Sequence, residues 1–138
     1  MDDHDLERFV AAQAGTYNRA LAELKAGAKR SHWMWFVFPQ IAGLGQSAMA
    51  RAYAIGSIEE ARAYLAHPVL GPRLCEASAA VLAAPGSAEA IMGGIDAIKL
   101  RSSMTLFAHA AGEDGAVFRA VLDRFYGGRE DGETVRRL

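Results

Sequence analysis

The sequence predicts a mainly α protein, a single domain of about seven short helices. Three observations predict it. Alanine is abundant and β-branched residues are sparse, which favours helix over strand. Apolar residues recur in short blocks at helical spacing. Glycine or proline falls between the blocks, where turns belong. The 138 residues are 51% apolar and 22% charged, an ordinary globular composition at the commonest domain size. A core of that size needs neither metal nor disulfide.

Leu6, Phe9 and Val10 place one apolar face on a helix over residues 5–13. Asp2, Asp3 and Asp5 stand at its start, where negative charge suits the helix dipole. Thr16 is the expected N-cap of the next helix, which carries Tyr17, Leu21 and Leu24 and stops near Gly27. Residues 41–45 read as a loop and residues 47–55 as a short helix. Ser57 with Glu60 three residues on forms a capping box, and His67-Pro68 ends the helix it starts. Pro72 suits the first turn of a helix that buries Leu74, Ala77 and Val81 and closes at Pro85-Gly86. Ser87 caps a short turn through Ile91. Gly93-Gly94 precedes a longer helix over residues 95–110. The last clear helix covers residues 116–126 and ends at Gly127-Gly128. The polar tail finishes in Val135 and Leu138, which would let it dock. Residues 33–38 are the one place where a minor β element is allowed, since aromatics favour strand. The helical surroundings favour helix there too.

Composition excludes several functions. A net charge of -1 argues against a nucleic-acid partner, which would call for a basic surplus. No charged leader with an apolar segment opens the chain and no long apolar run follows, so a cytoplasmic protein without a membrane partner is expected. Cys75 is the one cysteine. It reads as a small buried hydrophobe. His4, His32, His67 and His109 lack metal-site spacing, so no zinc site and no cofactor are expected. A Gly-x-Ser-x-Gly nucleophile turn is absent.

Two segments could carry chemistry. Lys29 to Gln40 contains Trp33, Trp35, Phe36 and Phe38, both tryptophans of the chain included. One reading is a central buried helix, because large aromatics dominate cores. The other is a pocket wall, because His32, the two indoles and Gln40 keep polar groups in the same block. Aromatic faces beside Lys29, Arg30 and Ser31 suit a planar ring attached to an anion. The second segment runs from Asp96 to Phe107. On a helix, Leu100, Met104 and Phe107 form an apolar stripe. Asp96, Lys99, Ser102 and Ser103 form a polar stripe beside it, and Arg101 pairs with Thr105 at i, i+4. This is either a solvated face or a wall that hydrogen-bonds a ligand. Short Ser and Thr side chains are poor choices for a merely exposed helix, and Lys with Arg suits phosphate or carboxylate. A weaker feature is Gly43-Leu44-Gly45-Gln46-Ser47, glycines before a helix N-terminus. A plain turn is its simpler reading.

Residues 31–40, Gly43-Leu44-Gly45, His67-Pro68-Val69-Leu70-Gly71, and Asp96 with residues 99–107 resemble the bacterial domain of unknown function 1810 family. The resemblance extends from Asp5-Leu6-Glu7-Arg8-Phe9 to Asp131-Gly132-Glu133-Thr134. Met92-Gly93-Gly94 departs from the family pattern, which has a bulkier residue before a single glycine. The resemblance implies a mainly helical fold and no settled activity. Members sometimes carry the label calpastatin, which does not suit a folded composition. A further similarity, at the level of architecture, is to the NADAR superfamily. Its members are tied to NAD and ADP-ribose metabolism and include N-glycosidases acting on ribosylated compounds. Fold does not fix function.

Together these imply a small-molecule phosphate or nucleotide ligand of ADP-ribose type, bound or hydrolysed. Trp33 or Trp35 would stack on a ring. Lys29, Lys99 and Arg101 would meet phosphate. Ser31, His32, Gln40, Ser102 and Ser103 would orient the ligand. Asp96 would stabilise a ribosyl cation or activate water, with Lys99 beside it. The alternative is a non-enzymatic interaction module whose aromatic block is purely structural.

Overall fold

The computed structural model describes residues 4–138. Among them run ten α-helices and no strand. They are α1 (Glu7–Gln13), α2 (Tyr17–Lys25), α3 (Met34–Val37), α4 (Ala48–Ala52), α5 (Ile58–Ala66), α6 (Leu70–Ala83), α7 (Ala88–Met92), α8 (Gly94–Ala111), α9 (Ala116–Tyr126) and α10 (Gly132–Arg136). The count exceeds seven because α3, α7 and α10 are single turns or little more. Elements that short carry no readable period. The acidic start expected at Asp2 and Asp3 lies outside the described residues.

Helix α8 is the axis of the fold. Helices α5, α7, α9 and α10 all pack against it, and α6 ties α2, α5 and α9 together. Surrounded in this way, α8 buries Ala97, Leu100, Met104, Leu106, Phe107 and Ala108 together with Ser102, Ser103 and Thr105. The core continues through Phe9, Trp33, Phe38, Tyr64 and Phe118. Phe9 meets Tyr64 edge-on at 5.1 Å between ring centres, and Tyr64 meets Phe107 at 5.2 Å, the offset geometry aromatic pairs prefer.

The expected caps form at several helix starts. Ser57 Oγ accepts from Glu60 N at 3.1 Å. The return bond of the box is shifted by one residue, since Glu60 Oε1 accepts from Gly56 N at 3.1 Å. Ser47 and Ser87 cap α4 and α7. His67 ends α5 as expected and also serves α6, its Nδ1 accepting from the N–H groups of Val69 and Leu70. Gly127 closes α9 in the left-handed region with φ 63°.

Three expectations, at Thr16, Cys75 and the tail, are corrected, and the helix favoured at residues 33–38 is present. Thr16 occupies the N-cap position of α2 but its side chain makes no capping bond. Residues 33–38 hold helix α3. The minor β element falls just beyond, as a single parallel bridge between Ile41 and Ile55, with Ile55 N donating to Gln40 O and Ala42 N to Ile55 O. Cys75 is exposed rather than buried, because Leu74 and Ala77 take the inward positions of α6. The tail docks through polar groups: Thr134 is buried, while Val135 and Leu138 stay exposed.

Candidate functional site

Three segments distant in sequence converge on one face. The first turns of α8 bring Ile95, Ile98, Lys99 and Ser102. The loop before α4 and α4 itself bring Gln40, Leu44, Gly45, Gln46, Ser47 and Ala50. The start of α10 brings Asp131 and Glu133. They enclose a groove of about 480 Å³, within the range of small-molecule sites. A recess of about 20 Å³ adjoins it, sharing Gln40, Gly45 and Ala50 and walled by Trp35. It has room for roughly one water.

Beside the groove lies a cluster of charged and aromatic groups. Lys29 Nζ is 2.8 Å from Asp96 Oδ2 and only 7% exposed, and Lys99 Nζ is 3.9 Å from Asp96 Oδ1. Each lysine also lies over an indole, Lys29 over Trp33 at 5.0 Å and Lys99 over Trp35 at 5.5 Å. A cation above an indole face is attracted by the ring quadrupole. Lys29 further donates to Ser31 O at 2.7 Å. Lys29 is thus saturated by internal partners, while Lys99 faces the groove.

The expected site residues therefore separate. Gln40, Lys99 and Ser102 line the groove. Lys29, Asp96 and Trp35 do not, although Lys99 contacts both Asp96 and Trp35. Trp33 is fully buried, so in this conformation it cannot stack on a ligand. Its indole N–H donates to Glu23 Oε1 at 2.9 Å. Ser31 is likewise turned inward, donating to Glu23 Oε2 at 2.6 Å. His32 is exposed but lines none of the groove. Arg101 is committed to the C-terminal segment, donating to the carbonyls of Arg129 and Glu130. Ser103 is fully buried and its hydroxyl has no hydrogen-bonding partner among the described residues.

Two carboxylates with organising roles were not anticipated. Glu23 organises the loop before α3. It accepts from Arg30 N, Ser31 N, Ser31 Oγ and Trp33 Nε1. Partial burial works against its charge, but these donors outweigh it and hold its carboxyl down at about 2. Asp131 caps α10 and joins α8 to it. Its Oδ2 accepts from Ser102 Oγ at 2.9 Å, Thr134 N at 3.2 Å and Thr134 Oγ1 at 2.6 Å. Thr105 Oγ1 accepts from Asp131 N at 2.9 Å. The cap pattern Asp131-Gly132-Glu133-Thr134 is visible in the sequence. The groove it borders is not.

A second polar assembly clamps the C-terminal segment. Glu130 Oε2 lies 2.6 Å from His109 Nε2 and 2.8 Å from Arg119 Nη1. Among the described residues no group of three or more His, Cys, Asp or Glu could hold a metal ion. No helix there is long and apolar enough to cross a membrane.

A helical fold around α8 defines the class, and the comparisons agree with that fold. The chain belongs to the family described as "protein of unknown function (DUF1810)", whose model matches residues 3–138. It is similar to the crystal structure of the conserved hypothetical protein Rv1873 from Mycobacterium tuberculosis. The two share 54% identity with a TM-score of 0.96, over 99% of this chain and 98% of that one. No curated protein matches the chain.

Proposed function

We propose that the protein binds a nucleotide-like small molecule of ADP-ribose type in the groove, and that N-glycosidic cleavage is the reaction to test. The observation that carries this reading is the groove itself. An ammonium, an amide, a hydroxyl and a carboxylate (Lys99, Gln40, Ser102 and Asp131) meet there against the apolar Leu44, Ala50 and Ile98. A mostly apolar lining with a few convergent polar groups is what a small-molecule site requires. Lys99 offers the positive charge for a phosphate.

Cleavage would break the bond between C1′ of the ribose and the base nitrogen. Water supplies the oxygen to C1′ and the proton to the departing base. Asp96 is the carboxylate proposed to stabilise the developing cation or to draw the proton from water. It stands nearly two helical turns before Ser102 on α8 and bridges both lysines.

Thermal unfolding with ADP-ribose, NAD and nucleoside monophosphates tests binding. A ligand at about 100 times its Kd should stabilise by roughly 2.7 kcal/mol, and Lys99→Ala should lose that gain. No shift with any of these at millimolar concentration refutes the reading. Release of free base by the wild type but not by Asp96→Asn tests the reaction.

A second reading, a protein-docking module, is favoured by one observation. Ile95 and Ile98 at the groove rim are 74% and 69% exposed. Scattered exposed apolar residues are ordinary, so the polar convergence weighs more.

A further inference from the structure

The groove is asymmetric in charge. Lys99 stands on the α8 side. Asp131 and Glu133 stand on the α10 side. The carboxylate of Glu133 is half-exposed and answered by Arg136 at 2.7 Å and Arg137 at 3.8 Å. Asp131 has no such cation among the described residues. Its three hydrogen bonds all end on Oδ2. Oδ1 is left without a hydrogen-bonding partner among the described residues.

The anchoring of Asp131 is rigid. Its Oδ2 is held by donors from α8 and α10, and its own N–H is held by Thr105 of α8. A side chain locked by two helices presents its remaining oxygen in a constant place, which is what a selective site needs. A carboxylate offers acceptors only. The ligand groups it can serve are hydroxyls, amines or cations. A strongly cationic ligand would also face Lys99, and a polyanion would face Asp131. A ligand with hydroxyls at one end and an anion at the other satisfies both walls.

We propose that Asp131 Oδ1 accepts the vicinal hydroxyls of a ribosyl phosphate whose anion lies toward Lys99, so that the groove selects ribose over 2′-deoxyribose. The inference rests on the nucleotide-like reading above and deepens it. A carboxylate paired to a ribose diol is a recurring device for recognising this sugar. Ser102 serves as a positioning residue, since its hydroxyl proton goes to Asp131. Glu133, engaged by two arginines, takes no part.

Calorimetric titration with AMP and with 2′-deoxy-AMP, using the full chain, tests this. The wild type should bind AMP about tenfold or more tightly than 2′-deoxy-AMP, since a site built to bond a hydroxyl rejects the analogue lacking it. Asp131→Asn should bind the two equally. Asparagine is as good an N-cap as aspartate, so α10 survives, but an amide N–H₂ now stands where the free acceptor was. Glu113→Gln, at an exposed residue that lines none of the groove, should keep the wild-type preference. Equal binding of the two nucleotides by the wild type, or a preference retained in Asp131→Asn, overturns the inference while leaving the nucleotide-like reading intact. Binding of neither nucleotide, nor of ADP-ribose, at millimolar concentration overturns both.

Discussion

Replacing Glu23 by alanine removes the acceptor of four hydrogen bonds at once. Two come from the backbone of Arg30 and Ser31, one from the Ser31 hydroxyl and one from the Trp33 indole. The indole matters most, because Trp33 is fully buried and nothing else stands ready to take its N–H. An orphaned buried donor costs about 1–3 kcal/mol. The charge itself adds a smaller share. A carboxyl lowered from 4.5 to about 2 corresponds to roughly 3 kcal/mol if fully desolvated. Glu23 is partly exposed, so solvent screening leaves about 1 kcal/mol. The total expected for Glu23→Ala is about 2–4 kcal/mol. At about 3–4 °C per kcal/mol for a chain of this size, Tm falls by roughly 6–15 °C.

The charge-dependent share has a defined pH window. The folded-state value of Glu23 lies below its unfolded value of 4.5. Its stabilisation is therefore fully present above that unfolded value and is lost as pH falls through about 2. Glu23→Gln keeps an acceptor but not the charge. The gap between wild type and Glu23→Gln should be about 1 kcal/mol at neutral pH. It should close toward the acid limit. Circular dichroism melts at several pH values read both quantities. A Tm for Glu23→Ala within about 2 °C of wild type, or a Gln gap that does not change with pH, refutes the reasoning.

Two further substitutions follow from packing. A Cβ on Gly71 would sit 2.1 Å from Leu65 O, in the backbone of α5, whereas one on Gly94 meets nothing within 4 Å. Urea unfolding should show Gly71→Ala losing about 3 kcal/mol, and Gly94→Ala neutral or gaining about 0.4–1 kcal/mol. Equal effects at the two sites would contradict the close α5–α6 contact. Ser103→Ala removes a buried hydroxyl that has no partner among the described residues and should be neutral or stabilising by up to about 1 kcal/mol. Ser102→Ala deprives Asp131 of a donor and should cost about 1–2 kcal/mol, so the two neighbouring serines should differ in sign or size.

Local chemistry made much of this protein legible from its sequence. The 3.6-residue apolar period located the long helices, and Ser57, Ser87 and His67-Pro68 marked their ends as expected. These signals act over a few residues, so no tertiary information is needed to read them. The same reading singled out the 29–40 and 96–107 segments, and the fold does bring Lys29, Trp35 and Gln40 alongside Asp96, Lys99 and Ser102. What failed was sidedness. A polar stripe predicts an exposed face only when the helix has one, and α8 is enclosed by α5, α7, α9 and α10. Ser102 and Thr105 are buried there because Asp131 and the backbone satisfy them, and Ser103 is buried without any such partner. Periodicity cannot say which of two indoles turns inward, because that depended on Glu23, ten residues before Trp33. Nor can it find the groove, whose walls come from α8, the loop before α4 and the start of α10. The helices and their ends belong to the sequence by itself, because neighbouring residues determine them. The roles of Trp33, Ser103, Glu23 and Asp131 were decided only in tertiary structure, because each depends on partners or neighbours from other parts of the chain.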